Sequence, residues 1–572
     1  MKTGKTNLLS LLGPYRFLLF LLLLFALISN GLNLWIPKII GEGIDAYRNQ
    51  NFSYGHTFLR FGLVVFIVFI FTYLQTIIQT YASECVARDL RRKLTEKIAV
   101  QDFTYIKTAN PSKLLTNLTA DVDSIKQFVA QAVVSIASSI FIIIGVSILL
   151  ITINWRLALA VIGIIPIIGG TFFFVLRKVR VLFVQSRAVI DRLNKTINES
   201  ILGAAIIRVV NSQQLEYDKF LESNVQAKGY GLSILRLFAG LIPVIVFTAN
   251  MAALIILLLG GHFVITTSMS VGDFAAFNSY LALLIFPILV IGFMSNVIAQ
   301  ATASYDRIKA VLEAPTKEKS GVLREGVGGA IRLQSVDMNI GQKPILKDIS
   351  FSLSAGSRTA IIGPTAAGKT QLLYLLMGLS KQDSGTITFN GHTIDAFDEV
   401  YFHNEVGFVF QDSILFNMSI RENIAFSKTV TDEYLQMAIK TAELDTFVDN
   451  LPNKLDTMIS ERGSDLSGGQ KQRIMLARAL SLNPSILLLD DFTARVDNRT
   501  EKNILQNLKK NYPNLTLISV TQKIATAEEY DQIILLMEGE IIAFGKHQEL
   551  MRSSPEYVQI VNSQQSTSDY EV

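Results

Sequence analysis

Six stretches of this chain, residues 17–37, 61–83, 127–155, 157–176, 237–261 and 274–305, contain no Asp, Glu, Lys or Arg. A helix needs about 20 apolar residues to cross the hydrocarbon of a bilayer, where every backbone N–H and C=O must be satisfied within the protein. The runs therefore predict six spanning helices. Composition agrees: half of the 572 residues are hydrophobic, only 17% are charged and the mean hydropathy is +0.38, too apolar for a soluble chain of this length. The first run exceeds the core of a secretory leader and no small-x-small cleavage pattern follows it, which reads as a retained span. The third and fourth runs meet at Asn154-Trp155-Arg156, predicting a tight helical hairpin at one membrane face.

The cations fix an orientation. Lys2 and Lys5 precede the first run, Arg88 to Lys97 follow the second and Arg177 to Arg208 follow the fourth, whereas the segments after the first and fifth runs carry few. By the positive-inside rule the N-terminus, two long connections (residues 84–126 and 177–236) and everything after the sixth run are cytoplasmic. A net charge of only +4, with the cations gathered at run ends, gives no support for nucleic-acid binding. The single cysteine, Cys85, has no internal disulfide partner and reads as a small packing residue.

Both long connections read as helical extensions of the spans, broken at Asn110-Pro111-Ser112 and Asn211-Ser212-Gln213, and the breaks offer contact points for whatever follows. After residue 310 the pattern changes. A charged, Gly-rich linker covers 311–330, short β-rich runs alternate with helical stretches over 331–563, and a Ser/Gln/Asp tail over 564–572 is expected to be disordered. The predicted fold is thus an α-helical membrane domain of six transmembrane helices (1–310), followed by an α/β phosphate-loop domain.

Within the second domain, Gly363-Pro364-Thr365-Ala366-Ala367-Gly368-Lys369-Thr370 lies between a short buried strand and a helix that begins near Gln371. In that context its backbone amides can wrap a polyphosphate, Lys369 can reach the terminal phosphates and Thr370 can ligate Mg²⁺. A second element, Ile486 to Asp491, is an apolar strand ending in two carboxylates. Asp490 there suits the Mg²⁺ shell and Asp491 faces the attacking water. Between the two, Ser467-Gly468-Gly469-Gln470 is a Gly-rich turn opening a helix, an anion-binding geometry of its own.

These elements, with Gln411, the Glu461-Arg462-Gly463 segment and the Asp497 loop, resemble ATP-binding cassette half-transporters of the exporter type over almost the whole length. The resemblance implies a helical subdomain inserted in the ATPase, ATP and Mg²⁺ as ligands, an integral protein of a prokaryotic plasma (inner) membrane and an obligate second half-transporter. It also implies that the phosphate loop of one chain and the signature turn 467–470 of another clamp ATP between them. Gln411 would sense Mg²⁺ and water.

Departures from the family pattern are specific. Asp491 stands where a catalytic Glu is usual, and its carboxylate is set back by about 1 Å, a displacement that can cost roughly 100-fold in rate. Gln522 replaces the switch His and cannot take a proton. Ile340 falls where an aromatic residue stacks on adenine, and Ala366 replaces a glycine of the loop. With the signature turn intact, this reads as the degenerate-site subunit of a heterodimeric multidrug or lipid exporter. The alternatives are a homodimeric exporter and an ATP-binding regulatory membrane subunit with little turnover. Charge-free spans favour an apolar or amphipathic substrate.

Overall fold

The computed structural model describes residues 8–316, 321–460 and 463–568. Lys2, Lys5, linker residues 317–320, Glu461, Arg462 and the final four residues lie outside them. The chain divides into two compact units, residues 1–100 with 109–315 and residues 101–108 with 316–572.

The first unit holds six helices long and apolar enough to cross a membrane: α1 (Leu12–Arg48), α2 (Tyr54–Ala99), α4 (Pro111–Ile153), α5 (Trp155–Leu202), α6 (Gln213–Ile265) and α7 (Val271–Leu312). A short helix, α3 (Phe103–Ala109), separates α2 from α4. Each long helix carries one charge-free run and extends beyond it at one end or both, the third run outlasting α4 by Asn154 and Trp155. The predicted hairpin turn reduces to one residue: Asn154 is extended at φ −155° and its side chain accepts from the Leu157 N–H, capping α5. Both predicted breaks are present, with Asn110 at φ +64° capping α4 through the Ser112 N–H and Asn211 at φ +54° before α6. An additional break at Val100–Asp102 was not read from the sequence.

Helix α7 is the spine of this unit. Its Tyr280 hydroxyl, fully buried, donates to the Leu34 carbonyl of α1 (2.9 Å), and its Gly272 N–H donates to Asp45 (2.8 Å). Gly272 and Gly41 let the two backbones touch, since a Cβ at Gly41 would sit 2.6 Å from the Gly272 carbonyl. Where α4 and α7 continue past their runs, buried Asp121 accepts from Arg307 Nε (3.0 Å) and the Ser304 hydroxyl (2.9 Å), pairing a charge that burial would otherwise make costly. Outward-facing Phe66 and Phe69 are more than 60% exposed, as side chains meant for lipid are.

The second unit carries two sheets. An antiparallel sheet orders its strands β2-β1-β4-β5, from β1 (Ile331–Ile340), β2 (Lys343–Leu353), β4 (Ser384–Phe389) and β5 (His392–Thr393). A mostly parallel sheet orders them β10-β9-β3-β8-β7-β6, from β3 (Arg358–Ile362), β6 (Val406–Val409), β7 (Ile486–Asp490), β8 (Thr516–Val520), β9 (Gln532–Met537) and β10 (Glu540–Gly545). Strands β7 and β8 are buried at every residue, the pattern of a parallel strand covered on both faces. Three short helices, Ile420–Ile424, Asp432–Thr441 and Asp445–Asp449, form the expected insertion between β6 and β7. The second half of the linker packs on this unit: Leu323 exchanges backbone hydrogen bonds with Ala396 and Asp398, and Val327 is fully buried.

The tail departs from expectation. Instead of disorder from 564, a helix runs from Pro555 to Ser568. Tyr557 and Val561, spaced i,i+4, are buried and fasten it to the core, so the polar residues beyond them stay helical.

Candidate functional site

The parallel order β3-β8-β7-β6 brings four strand ends to one edge of the sheet, the place where open α/β sheets bind ligands. The phosphate loop follows β3, Gln522 follows β8, Asp490 and Asp491 end β7, and Gln411 lies two residues past β6.

The loop's conformation explains its glycines. Gly363 is at φ +148° and a Cβ there would collide with the Leu536 carbonyl. Gly368 is left-handed at φ +99° and begins α8 (Lys369–Leu376), whose free N–H groups aim at an incoming anion. Ala366 is held at φ +66°, a region that costs a residue with a Cβ about 1–2 kcal/mol. Ala366→Gly removes that cost while the looser unfolded chain returns about 0.4–1 kcal/mol, so a net gain of no more than about 1.6 kcal/mol is expected. Gly368→Ala is the opposite case, because its Cβ would approach Leu346 to 2.8 Å and the Ile345 carbonyl to 3.0 Å at a positive φ. A drop in the thermal midpoint of the full chain and loss of ATP protection should accompany it; an unchanged midpoint would refute the strain argument.

Lys369 Nζ donates to the carbonyls of Gly363 and Pro364, each at 2.7 Å. Burial lowers its pKa, opposed by the charges of Asp491 and Asp490. The Thr370 hydroxyl donates to Asp490 Oδ1 at 3.0 Å, while Asp490 Oδ2 is buried without a partner. Two hard oxygens side by side, one with an unused lone pair, fit Mg²⁺. Burial pushes the Asp490 carboxyl up to about 6, reinforced by Asp491 and offset by the Thr370 hydrogen bond and by Lys369.

A raised folded-state pKa means that this carboxyl favours the metal-free fold at low pH, and that the contribution is lost as pH rises through about 6. A bound cation reverses the preference. Mg²⁺ affinity is therefore expected to fall by up to about tenfold per pH unit below about 6, measured by Mg²⁺-dependent nucleotide binding. Asp490→Asn should flatten the profile, and a wild-type profile already flat would sink the assignment.

Asp491 sits at φ +49°, is 9% exposed and, like its neighbour, has its pKa raised by burial, with Lys369 pulling it down. Its Oδ2 accepts from Gln522 Nε2 at 3.4 Å. The structure thus brings together the two residues that depart most from the family pattern. Gln411 is exposed, and its carbonyl accepts from Gln472 Nε2 at 3.0 Å. Ile340 lies at the β1–β2 turn, 53% exposed, and Gln371 is half-buried in α8.

Helix α9 (Gly468–Leu480) opens with a capping box: Gln470 N–H donates to the Ser467 hydroxyl (3.2 Å) and Ser467 N–H donates to Gln470 Oε1 (2.8 Å). Among the described residues, no hydrogen bond or ion pair joins Ser467–Gln470 to residues 363–370 of the same chain. Asp497 caps α10 (Asn498–Asn511) by accepting from the Thr500 N–H at 2.9 Å.

Two sets of contacts were not anticipated. Phe103 of α3 stacks edge-on against Tyr374 of α8 (5.5 Å), Lys107 lies over the same ring and the Thr104 hydroxyl donates to the Leu379 carbonyl. Residues 101–108 thereby rest on the helix that follows the phosphate loop. Near the end of the chain, Gln564 Nε2 donates to the Gln522 carbonyl (2.5 Å) and its Oε1 accepts from the Ile524 N–H (2.9 Å), so α11 (Pro555–Ser568) holds the turn after β8. The buried i,i+4 pair 557/561 was the available signal.

Two family models match the chain, ABC transporter transmembrane region over residues 19–288 and ABC transporter over residues 346–494. An uncharacterized ABC transporter ATP-binding protein of Bacillus subtilis, YfiB, is 31% identical over 565 residues, covering 97% of this chain and 98% of its own. The multidrug resistance-like ATP-binding protein MdlA of Buchnera aphidicola is 30% identical, with 94% of each chain aligned. An ATP-dependent lipid A-core flippase of Syntrophus aciditrophicus is 27% identical over 86% of this chain and 82% of its own. With both domain models matched in order and relatives aligned end to end, the chain belongs to the ATP-binding cassette transporter family, as an exporter-type half-transporter with one transmembrane and one ATP-binding domain.

Proposed function

We propose that this chain is one half of a heterodimeric ATP-driven exporter, binding ATP in a site of low turnover and lending its signature turn to a more active site on a partner half-transporter. The observation that carries the reading is the pair Asp491 and Gln522. A short carboxylate hydrogen-bonded to an amide at 3.4 Å has neither the reach of Glu nor a second group able to exchange a proton. Strained Ala366 and non-aromatic Ile340 weaken the same site, whereas Ser467 to Gln470 keep an ordered helix N-terminus.

In this reading Lys369 pairs with the β- and γ-phosphates, Thr370 and Asp490 hold Mg²⁺, Gln411 orients water, Asp491 is a slow base and Gln522 donates to the γ-phosphate. Mg²⁺, when bound, offsets phosphate charge. ATP closes two ATPase domains, and Phe103 and Lys107 on Tyr374 offer the mechanical link to the spans. Substrate and nucleotide then influence each other's binding reciprocally. Charge-free spans, with relatives named for multidrug resistance and lipid A-core flipping, support an apolar or amphipathic cargo. The basic clusters support a prokaryotic plasma (inner) membrane with the ATPase cytoplasmic.

Purification from native membranes tests the proposal. A second half-transporter carrying Glu and His at the positions of Asp491 and Gln522 should co-purify, and the reconstituted pair should show vanadate-sensitive, cargo-stimulated ATPase activity. Brisk hydrolysis and transport by this chain without that partner would overturn it.

A further inference from the structure

The charge-free run of α5 ends at Leu176 and that of α6 begins at Leu237, so Arg177 and Lys178 on one helix and Arg236 on the other flank the same membrane boundary. All three line a single open groove of about 760 Å³ between the two helices, with Phe174, Val181 and Leu237 as its apolar wall. That volume is within the range of small-ligand pockets, roughly 300–1,000 Å³. None of the three cations has an ion-pair partner among the described residues, although both helices pair other cations further along: Lys195 with Glu199 (3.7 Å) and Lys219 with Glu216 (2.6 Å).

The geometry points to a binding site for an anionic phospholipid, its phosphate held by Arg177, Lys178 and Arg236 and its acyl chains running along the apolar wall. The positive-inside tendency accounts for cations at this depth but not for their convergence from two helices on one cleft. Charge complementarity selects the occupant: three uncompensated cations beside an apolar wall, at the level of lipid phosphates, match an anionic headgroup attached to hydrocarbon. A zwitterionic lipid would bring its own ammonium into the same cleft. A soluble phosphate would leave Phe174, Val181 and Leu237 uncovered.

Each cation near an anionic membrane surface contributes about fivefold in affinity, so three together contribute about 100-fold. The full-length protein, with whatever partner purifies with it, is placed in nanodiscs of phosphatidylcholine containing graded phosphatidylglycerol, and retained lipid is counted by native mass spectrometry. Wild type is expected to retain phosphatidylglycerol selectively, and Arg177→Ala/Lys178→Ala/Arg236→Ala to lose that selectivity by about 100-fold. Val181→Trp, which fills the groove and changes no charge, should also lose it, so the outcome does not depend on insertion of the triple variant. Arg180→Ala/Arg187→Ala, which removes two charges from α5 outside the groove, should lose far less selectivity than the triple variant. Equal retention by the triple variant and Val181→Trp, equal loss in the Arg180/Arg187 control, or displacement by inorganic phosphate alone would each overturn the assignment, as would a groove found covered by the partner chain.

Discussion

Gly469→Asp in this chain is expected to cut the ATP turnover of the assembled transporter by about 100-fold or more, while MgATP binding to the chain's own loop is unchanged. The side chains of Ser467 and Gln470 are already committed to the capping box, so the N–H groups of Gly468 and Gly469 are the ones left to meet a polyphosphate. A carboxylate there opposes the phosphate charge, and a Cβ at Gly469 would approach the Arg495 carbonyl to 2.8 Å and shift the turn. Gly469→Ala carries the same Cβ without the charge, and a smaller loss in that variant separates the two causes. Turnover is read by phosphate release and binding by a fluorescent nucleotide. Full activity in Gly469→Asp would mean that the turn serves no working site.

Converting this chain's own site should act in the other direction. Asp491→Glu with Gln522→His is expected to raise nucleotide turnover at this phosphate loop by up to about 100-fold, because the longer carboxylate recovers about 1 Å of reach. The two groups touch at 3.4 Å and act as a unit, so either change alone should give much less than the pair. Vanadate trapping followed by photolabelling assigns the turnover to one chain or the other. No rise in label on this chain would place the limit outside Asp491 and Gln522, in Ala366 or in the partner's signature turn.

The spans were legible because a bilayer imposes a single, local requirement, a run of apolar residues free of charge. The phosphate loop was legible for a similar reason, since strand, glycine spacing, lysine and helix follow one another within a dozen residues. Ala366 was recognised as a misplaced Cβ, and its φ of +66° is the strain that such a position entails. The polar composition of 564–572 predicts disorder, whereas the buried apolar pair Tyr557 and Val561 just before it anchors a helix that runs on to Ser568. Nothing local in residues 101–108 revealed that they group with the second unit, for Phe103 and Tyr374 meet across nearly half of the chain.

By itself the sequence determined how many helices cross the membrane, that a nucleotide loop follows them and which residues break the family pattern, because each of these is written in neighbouring residues. Only the tertiary structure decided which side chains meet. Thr370 reaches Asp490 across 120 residues, Asp491 reaches Gln522 across 31, and Gln564 bonds the turn after β8. Those meetings follow from the order β3-β8-β7-β6, in which strands far apart in the chain lie side by side, and that order is selected by burial of the whole sheet, which no segment encodes alone.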